Sequence, residues 1–158
     1  MNYNLVKIRD NSESIKKYVT SKSPAFDRFT SRKAEYKLDE VIVRELKKYA
    51  KDIVVVVFSA EWCPDCFRNV PVLDMINEET GLEVRVFGHI MRNVSNTTNK
   101  WAIPPSPKEV EEFGVTKIPF IVILNQSGDE LGKIIENPQP GKTLEQALLE
   151  AILKKSII

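Results

Sequence analysis

Hydrophobic residues occur in two patterns along the chain, as short continuous runs and at the spacing of helices. The run from Ile53 to Phe58 contains no polar residue, which is typical of a central strand covered on both faces. Leu82 to His89 and Phe120 to Leu124 are predicted to be two further strands. The turn residues Asn125 to Gly128 then predict a hairpin that returns through Glu130 to Ile135.

Helical spacing of hydrophobic residues is found between and after these strands. The predicted helices are residues 39–51, 63 to about 79, 107–113, and the segment that begins at 143. Pro71 should bend the second of them, and Gly81 should end it. Thr143 and Gln146 fit a capping box at the start of the last one.

The first 40 residues show a less regular pattern. Ser12 to Thr20 predicts a short helix, and Pro24 ends it because proline disfavours helix in the residue before it. We therefore predict an N-terminal helical extension, residues 1–40, packed on a single domain of residues 41–158. Asn93 to Pro107 is polar and rich in proline, which indicates a long loop.

The order of these elements indicates an α/β fold. A strand–helix–strand unit normally forms a parallel pair with a right-handed crossover. The last two strands must be antiparallel because a tight turn joins them. The sequence therefore predicts a three-layer α/β/α sandwich with a mixed sheet of about four strands and helices on both faces.

Composition adds limits on location and partners. The 158 residues suit one domain, and a net charge of +1 gives no reason to expect a nucleic-acid or membrane partner. No hydrophobic run approaches the roughly 20 residues that span a bilayer. The first ten residues are too polar for the core of a signal peptide. We therefore expect a cytoplasmic protein, in which thiols are kept reduced.

The chain has two cysteines, and both lie within four residues directly after its most hydrophobic strand. Free N–H groups and the helix dipole at this position favour a thiolate, so the pKa of Cys63 should fall. Cys66, one turn further along, should keep a higher pKa. The spacing allows the two sulfurs to join, with Cys63 attacking a disulfide and Cys66 releasing the product.

A metal site is the alternative use of such a pair. A structural zinc ion needs four cysteine or histidine ligands, and this chain has two cysteines and one histidine, His89. A site shared between two chains stays open on these grounds. Within one chain we predict no metal site and no cofactor.

Several segments together carry a family resemblance. Ala60 to Cys66 resembles the thioredoxin active-site sequence, with Pro64 and Asp65 where thioredoxin has Gly-Pro. Pro71 has the position of the family's kink proline, and Gly114 to Phe120 matches its second signature. The hairpin and the last helix also fall in place. The chain thus resembles the thioredoxin superfamily over roughly residues 52–154.

The resemblance implies a thioredoxin-like fold and a cytosolic thiol-disulfide oxidoreductase. Cys63 would attack, Cys66 would resolve, and Trp62 would form part of a hydrophobic docking surface, unless it is simply packed. Ile118–Pro119 would be a cis peptide that pairs with an extended substrate. The implied partners are substrates, either proteins that contain disulfides or the disulfides of small thiols, and a reductase that supplies electrons.

Two departures from the family leave questions open. Thioredoxins carry a buried aspartate where this chain has Val57, so proton transfer at Cys66 needs another group. Asp65 is the nearest candidate; it would also oppose a Cys63 thiolate, or it could merely favour the first helical turn. A segment inside the 93–107 loop, Trp101 to Pro105, would line a partner surface or be packed down. A binding or redox-sensing module without turnover is the alternative function.

Overall fold

A five-stranded mixed sheet forms the centre of the protein. The computed structural model describes residues 2–21, 23–92, 95, 101 and 106–156. The strands are β1 (Glu13–Ser14), β2 (Ile53–Phe58), β3 (Glu83–Phe87), β4 (Phe120–Asn125) and β5 (Glu130–Ile135). Their order is β1-β3-β2-β4-β5; β2 and β3 are parallel, and the other neighbours are antiparallel. The α/β sandwich is therefore confirmed.

The fifth strand corrects the prediction of about four. Residues 13 and 14 were predicted to be helical, but they pair with β3 at the edge of the sheet. The side chain of Arg85 holds this segment in place, donating to the hydroxyl of Ser12 at 3.0 Å and to its carbonyl at 2.8 Å. A strand of two residues is too short to show the alternation on which a strand prediction depends.

The described helices are α1 (Leu5–Asn11), α2 (Ile15–Val19), α3 (Asp27–Glu35), α4 (Glu40–Lys47), α5 (Pro64–Thr80), α6 (Glu109–Glu112) and α7 (Leu144–Ser156). Gly81 ends α5 in the left-handed conformation, as predicted. Thr143 accepts a hydrogen bond from the backbone N–H of Gln146 at 3.1 Å. The Gln146 side chain contacts Glu150, so only half of the predicted capping box is formed. Within the described residues, no helix is long and hydrophobic enough to cross a membrane.

Helices cover both faces of the sheet. The ring of Phe58 packs on Phe113, next to α6, with ring centroids 5.1 Å apart, and Phe113 stacks on Tyr3 at 4.1 Å. Adjacent residues of a strand point to opposite faces. Ser59 accordingly faces the other layer, where α2, α3 and α4 pack against α5.

The N-terminal segment contributes side chains to this second layer. Tyr18, Phe26 and Phe29 form a cluster of rings that continues to Phe67 of α5. Asp74 of α5 is buried and forms ion pairs with Lys16 at 2.9 Å and Lys33 at 2.8 Å. Helices α2 and α3 are therefore tied to α5 by both rings and charges, while a domain boundary near residue 40 stays a prediction.

Candidate active site

Cys63 and Cys66 lie where β2 gives way to α5. Cys63 is the N-cap of the helix, in extended backbone conformation, and Pro64 occupies the first helical turn. Proline suits this turn because its missing N–H would have no helical partner. Both cysteines are free thiols; Cys63 is 5% exposed and Cys66 is fully buried. Both thiols are thus buried, and Cys63 is the one that keeps a small exposed fraction.

The surroundings of Cys63 favour its thiolate. A hydrogen bond from the side chain of Cys66 lowers the pKa of Cys63, and the backbone N–H groups of Cys66 and Asp65 lower it further. The N–H of Cys66 lies 3.4 Å from the Cys63 sulfur. Burial and the Asp65 carboxylate act in the opposite direction, and the net result is a pKa lowered to about 7. A large fraction of Cys63 is therefore thiolate near neutral pH.

Cys66 has the opposite electrostatics. Burial raises the pKa of its thiol strongly, and the neighbouring Cys63 raises it further. The Ala60 backbone and the Ser59 hydroxyl hydrogen-bond the sulfur and partly offset this increase. Cys66 thus keeps its proton at a pH at which much of Cys63 is thiolate, which is the order of pKa values that the sequence predicted.

The loop before β4 places a cis proline next to this pair. The Ile118–Pro119 peptide bond is cis, which confirms the expectation from the resemblance. In its protonated form Cys63 donates to the carbonyl oxygen of Ile118 at 3.7 Å, so the two predicted parts of the site meet. The Pro119 carbonyl accepts from the N–H of Glu136 and is held by the end of β5. Pairing of this loop with a substrate stays a prediction.

Trp62 lies beside Cys63 with 44% of its surface exposed. Its indole N–H donates to the carbonyl of Ile90 at 3.1 Å, and its ring stacks on Trp101 at a centroid distance of 6.4 Å. Trp101 is buried and donates to the Thr116 carbonyl. Trp62 is thus fixed at its polar edge and open on the rest of its ring. Residues 102–105, predicted to line a partner surface or pack down, lie outside the described residues.

The Asp65 carboxylate is hydrogen-bonded by two polar side chains next to the cysteine pair. One oxygen accepts from Asn137 at 3.1 Å and from Arg68 at 3.2 Å. Its charge still raises the pKa of Cys63, as the sequence predicted. Its place in the first turn also fits the helix-stabilising interpretation. A role as a base for Cys66 stays a prediction.

Two polar pairs near the cysteines were missed in the sequence. The hydroxyls of Ser59 and Tyr18 lie 3.0 Å apart in the core. Glu61 lies 3.8 Å from His89, and its second oxygen is buried with no hydrogen-bond partner among the described residues. Ser59 could have been noticed as the first polar residue after a hydrophobic strand, whereas nothing in the sequence connects it to Tyr18.

Metal-ligating side chains are not clustered in the part of the chain that the structure describes. No group of three or more histidine, cysteine or acidic side chains in the described ranges is placed to hold a metal.

Comparison with known proteins connects this geometry to one family. A family model described as thioredoxin matches residues 12–149. The chain is 33% identical over 98 residues to the chloroplastic thioredoxin-like protein HCF164 of Arabidopsis thaliana, covering 62% of this chain and 32% of that protein. It is 32% identical over 81 residues to a thioredoxin of Rickettsia typhi, covering 51% of this chain and 66% of that protein. The chain thus spans less than two thirds of either relative.

Solved structures extend the likeness to nearly the whole chain. A protein of unknown function from Pseudomonas aeruginosa matches 98% of this chain and 99% of its own, with a TM-score of 0.70 and 17% identity. At this identity the likeness concerns the fold alone. It includes the N-terminal segment that contributes β1 and Tyr18.

Proposed function

The chain belongs to the thioredoxin family, and from this premise we propose that it is a thiol-disulfide oxidoreductase. It would reduce or exchange disulfides of proteins or small molecules through Cys63 and Cys66. The observation that carries the proposal is the asymmetry of the pair. A thiolate-favouring sulfur at a helix N-cap lies next to a cis proline, above a fully buried thiol. The pKa of a cysteine is lowered at such helix N-termini, and the thiolate is the nucleophilic form.

The reaction would proceed in two exchanges. The Cys63 thiolate attacks one sulfur of the substrate disulfide, forming a mixed disulfide while the other substrate sulfur leaves and takes up a proton. The Cys66 thiol then loses its proton and attacks the Cys63 sulfur. This forms the Cys63–Cys66 disulfide and releases the second substrate sulfur. The substrate has gained two electrons and the pair has lost two.

Substrate binding would use the exposed surface around Cys63. An extended segment beside Ile118 and Pro119 would present its disulfide to the thiolate, as in the addition of a strand to a sheet edge. The open ring of Trp62 and the partly exposed Met91 offer hydrophobic contacts next to this path. Aromatic rings with one polar edge fixed are well suited to such contacts.

A complete cycle requires a second protein. The Cys63–Cys66 disulfide must be reduced again before another turnover, so a reductase that supplies two electrons is a necessary partner. We propose that the protein acts in the cytoplasm, where such a reductase would work in a reducing environment.

The proposal is tested by equilibrating the purified protein with a graded dithiothreitol couple. The Cys63–Cys66 bridge is followed by the mass added on thiol alkylation. We expect a reversible two-electron transition, and turnover of a protein disulfide in the presence of dithiothreitol. Cys66→Ser should trap a mixed disulfide through Cys63, while the matched variant Cys63→Ser should trap none.

Each other outcome has a definite meaning. Absence of an intramolecular bridge across the whole range would refute the proposed reaction. A bridge that forms without any turnover of substrate would favour a redox-sensing module. A dimer with stoichiometric zinc that a chelator dissociates would favour the shared metal site.

A further inference from the structure

The hydroxyl groups of Tyr18 and Ser59 form a hydrogen-bonded pair inside the protein. Their oxygens are 3.0 Å apart, and the two residues are 1% and 0% exposed. Tyr18 comes from α2 in the N-terminal segment, and Ser59 directly follows β2. Buried polar groups cost free energy unless they are hydrogen-bonded, so both hydroxyls need each other or a further partner.

The further partner is the sulfur of Cys66. The Ser59 side chain hydrogen-bonds Cys66, and it acts in favour of the thiolate. Val57, two residues earlier and fully buried, provides no polar group at the position where the family carries an acid. Residues two apart on a strand face the same side. Ser59 therefore brings the first polar side chain on this face of the strand to the buried sulfur.

The hydrogen bonds from Tyr18 to Ser59 and from Ser59 to Cys66 can both be donated in the same direction, toward the sulfur. A thiolate at Cys66 only accepts, so the Ser59 hydroxyl must donate to it. The oxygen of Ser59 is then free to accept from the phenol of Tyr18. Burial raises the pKa of Tyr18, so the phenol keeps its proton and stays a donor. Hydrogen bonds arranged in such a series strengthen one another.

We propose that Ser59 and Tyr18 stabilise the Cys66 thiolate that forms in the resolving step. Ser59 would act directly, through its hydrogen bond to the Cys66 sulfur, and Tyr18 is a positioning residue that acts through Ser59. The inference rests on the proposed function. The bond that forms joins the sulfurs of Cys66 and Cys63, and the bond between Cys63 and the substrate breaks. The proton of Cys66 passes to solvent, and an alkyl thiolate that departs takes one up.

Packing fixes the phenol for this role. The ring of Tyr18 meets Phe26 and Phe29 edge-on, at centroid distances of 5.1 and 5.9 Å. Gly88 also lies against the ring, since a Cβ added there would be 2.6 Å from a ring carbon of Tyr18. Through Tyr18, the N-terminal segment would therefore take part in the chemistry as well as in the core.

Few titratable groups face this chain of hydroxyls. Cys63 is in direct contact with Cys66. Glu61 and Glu13 act on Tyr18 at longer range and raise the pKa of its phenol, and the ring of His89 lies 6.4 Å from the ring of Tyr18. These groups are left intact by the variants used below.

The two exchange steps can be separated with the aromatic disulfide dithiobis(nitrobenzoate). Attack by Cys63 releases one thionitrobenzoate at a rate proportional to the reagent concentration. Attack by Cys66 releases the second at a rate independent of it. Ser59→Ala should slow the second release about tenfold, the scale of a lost hydrogen bond to a charged group, and Tyr18→Phe about threefold. Both variants should leave the first release unchanged.

A matched control removes a different hydroxyl of the N-terminal segment. The Tyr36 hydroxyl donates to Glu145 at 2.7 Å, on the same layer but without a described contact to the cysteines. Tyr36→Phe should change neither release. In Ser59→Ala, the pH at which the second release is half-maximal should also move upward, a shift that loss of packing alone would not cause.

The result separates this inference from the proposed function. One outcome is that the native chain and the variants Ser59→Ala and Tyr18→Phe give the second release at the same rate and with the same pH profile. That result would overturn the role of the hydroxyls and leave the proposed oxidoreductase function intact. Failure of the native chain to give a second release would overturn both. Because Ser59→Ala removes a single atom, it keeps the test decisive if Tyr18→Phe folds poorly.

Discussion

The backbone N–H of Cys66 donates a hydrogen bond to the sulfur of Cys63 across 3.4 Å. The second cysteine thus supports the first through its backbone, while its own sulfur is buried beneath. A helix N-cap normally receives such a bond on a side-chain oxygen. Here a sulfur occupies that position, so helix capping and activation of the thiol are the same interaction.

The pKa of Cys63 can be measured by the pH dependence of its alkylation. Its pKa is lowered to about 7, so the thiolate fraction rises through that pH and is nearly complete above the ordinary pKa of a cysteine. The rate with iodoacetamide should be half-maximal near pH 7 and about a tenth of the plateau one unit lower. Cys63→Ser should show no alkylation over this range, because burial raises the pKa of Cys66. A half-maximum at the ordinary cysteine value would contradict the assigned geometry.

Replacement of Asp65 should lower the pKa of Cys63. The carboxylate raises the pKa of Cys63, while the backbone N–H of residue 65 lowers it. Asp65→Asn removes the first effect and keeps the second, so the thiolate gains stability. A more stable thiolate favours the reduced pair, and the reduction potential should become less negative by up to about 20 mV.

The control for this change is Arg68→Gln. Arg68 is the cation that contacts Asp65, at 3.2 Å on the exposed surface. Its removal should leave the Asp65 carboxylate less neutralised and shift the pKa of Cys63 slightly upward. Shifts of equal sign in the two variants would show that charge is not the cause.

Trp62 is expected to act on substrate binding and not on the thiols. Its ring is partly exposed, and its polar edge is already bonded to Ile90. Trp62→Ala should raise the KM for a protein disulfide by about tenfold while the alkylation profile of Cys63 stays unchanged. Trp62→Phe keeps a ring and should recover most of the binding. A KM that is the same in all three proteins would assign Trp62 to packing against Trp101.

Those parts of the fold that depend on local pattern were predictable. The strand Ile53–Phe58 and the hairpin strand Glu130–Ile135 were located at their observed ends. Their hydrophobic content and the turn between β4 and β5 are local signals. The cis bond at Ile118–Pro119 has no such signal, and it was predicted from the family resemblance alone.

Other parts arise from contacts between distant residues. β1 forms because Arg85 holds the segment near Ser12, a partner 73 residues away. Tyr18 and Ser59 are 41 residues apart, and neither position is unusual by itself. The sequence could show that an acid is missing at Val57, but it could not show which groups replace it, because tertiary packing brings them together.

The contact between Tyr3 and Gly128 shows how the first residues are joined to the sheet. The N–H of Tyr3 donates to the carbonyl of Gly128 at 2.8 Å. Gly128 has a φ of +84°, and an added Cβ would lie 1.9 Å from the Tyr3 carbonyl oxygen. Gly81 has a φ of +77°, and a Cβ added to it would have no atom within 4 Å. The two glycines therefore share the left-handed backbone conformation, but only Gly128 has another backbone segment, that of Tyr3, packed against its Cα.

This difference gives a paired test of the stability that the N-terminal residues provide. Gly81→Ala should lower the free energy of unfolding by about 1 kcal/mol, the cost of a left-handed conformation for alanine. Gly128→Ala has the same cost and must also displace Tyr3 from its stack on Phe113, so we expect a loss of about 3 kcal/mol. Urea unfolding of the two variants measures both values. Equal losses would mean that residues 2–4 contribute nothing to stability, since the added methyl group could then push them aside without cost.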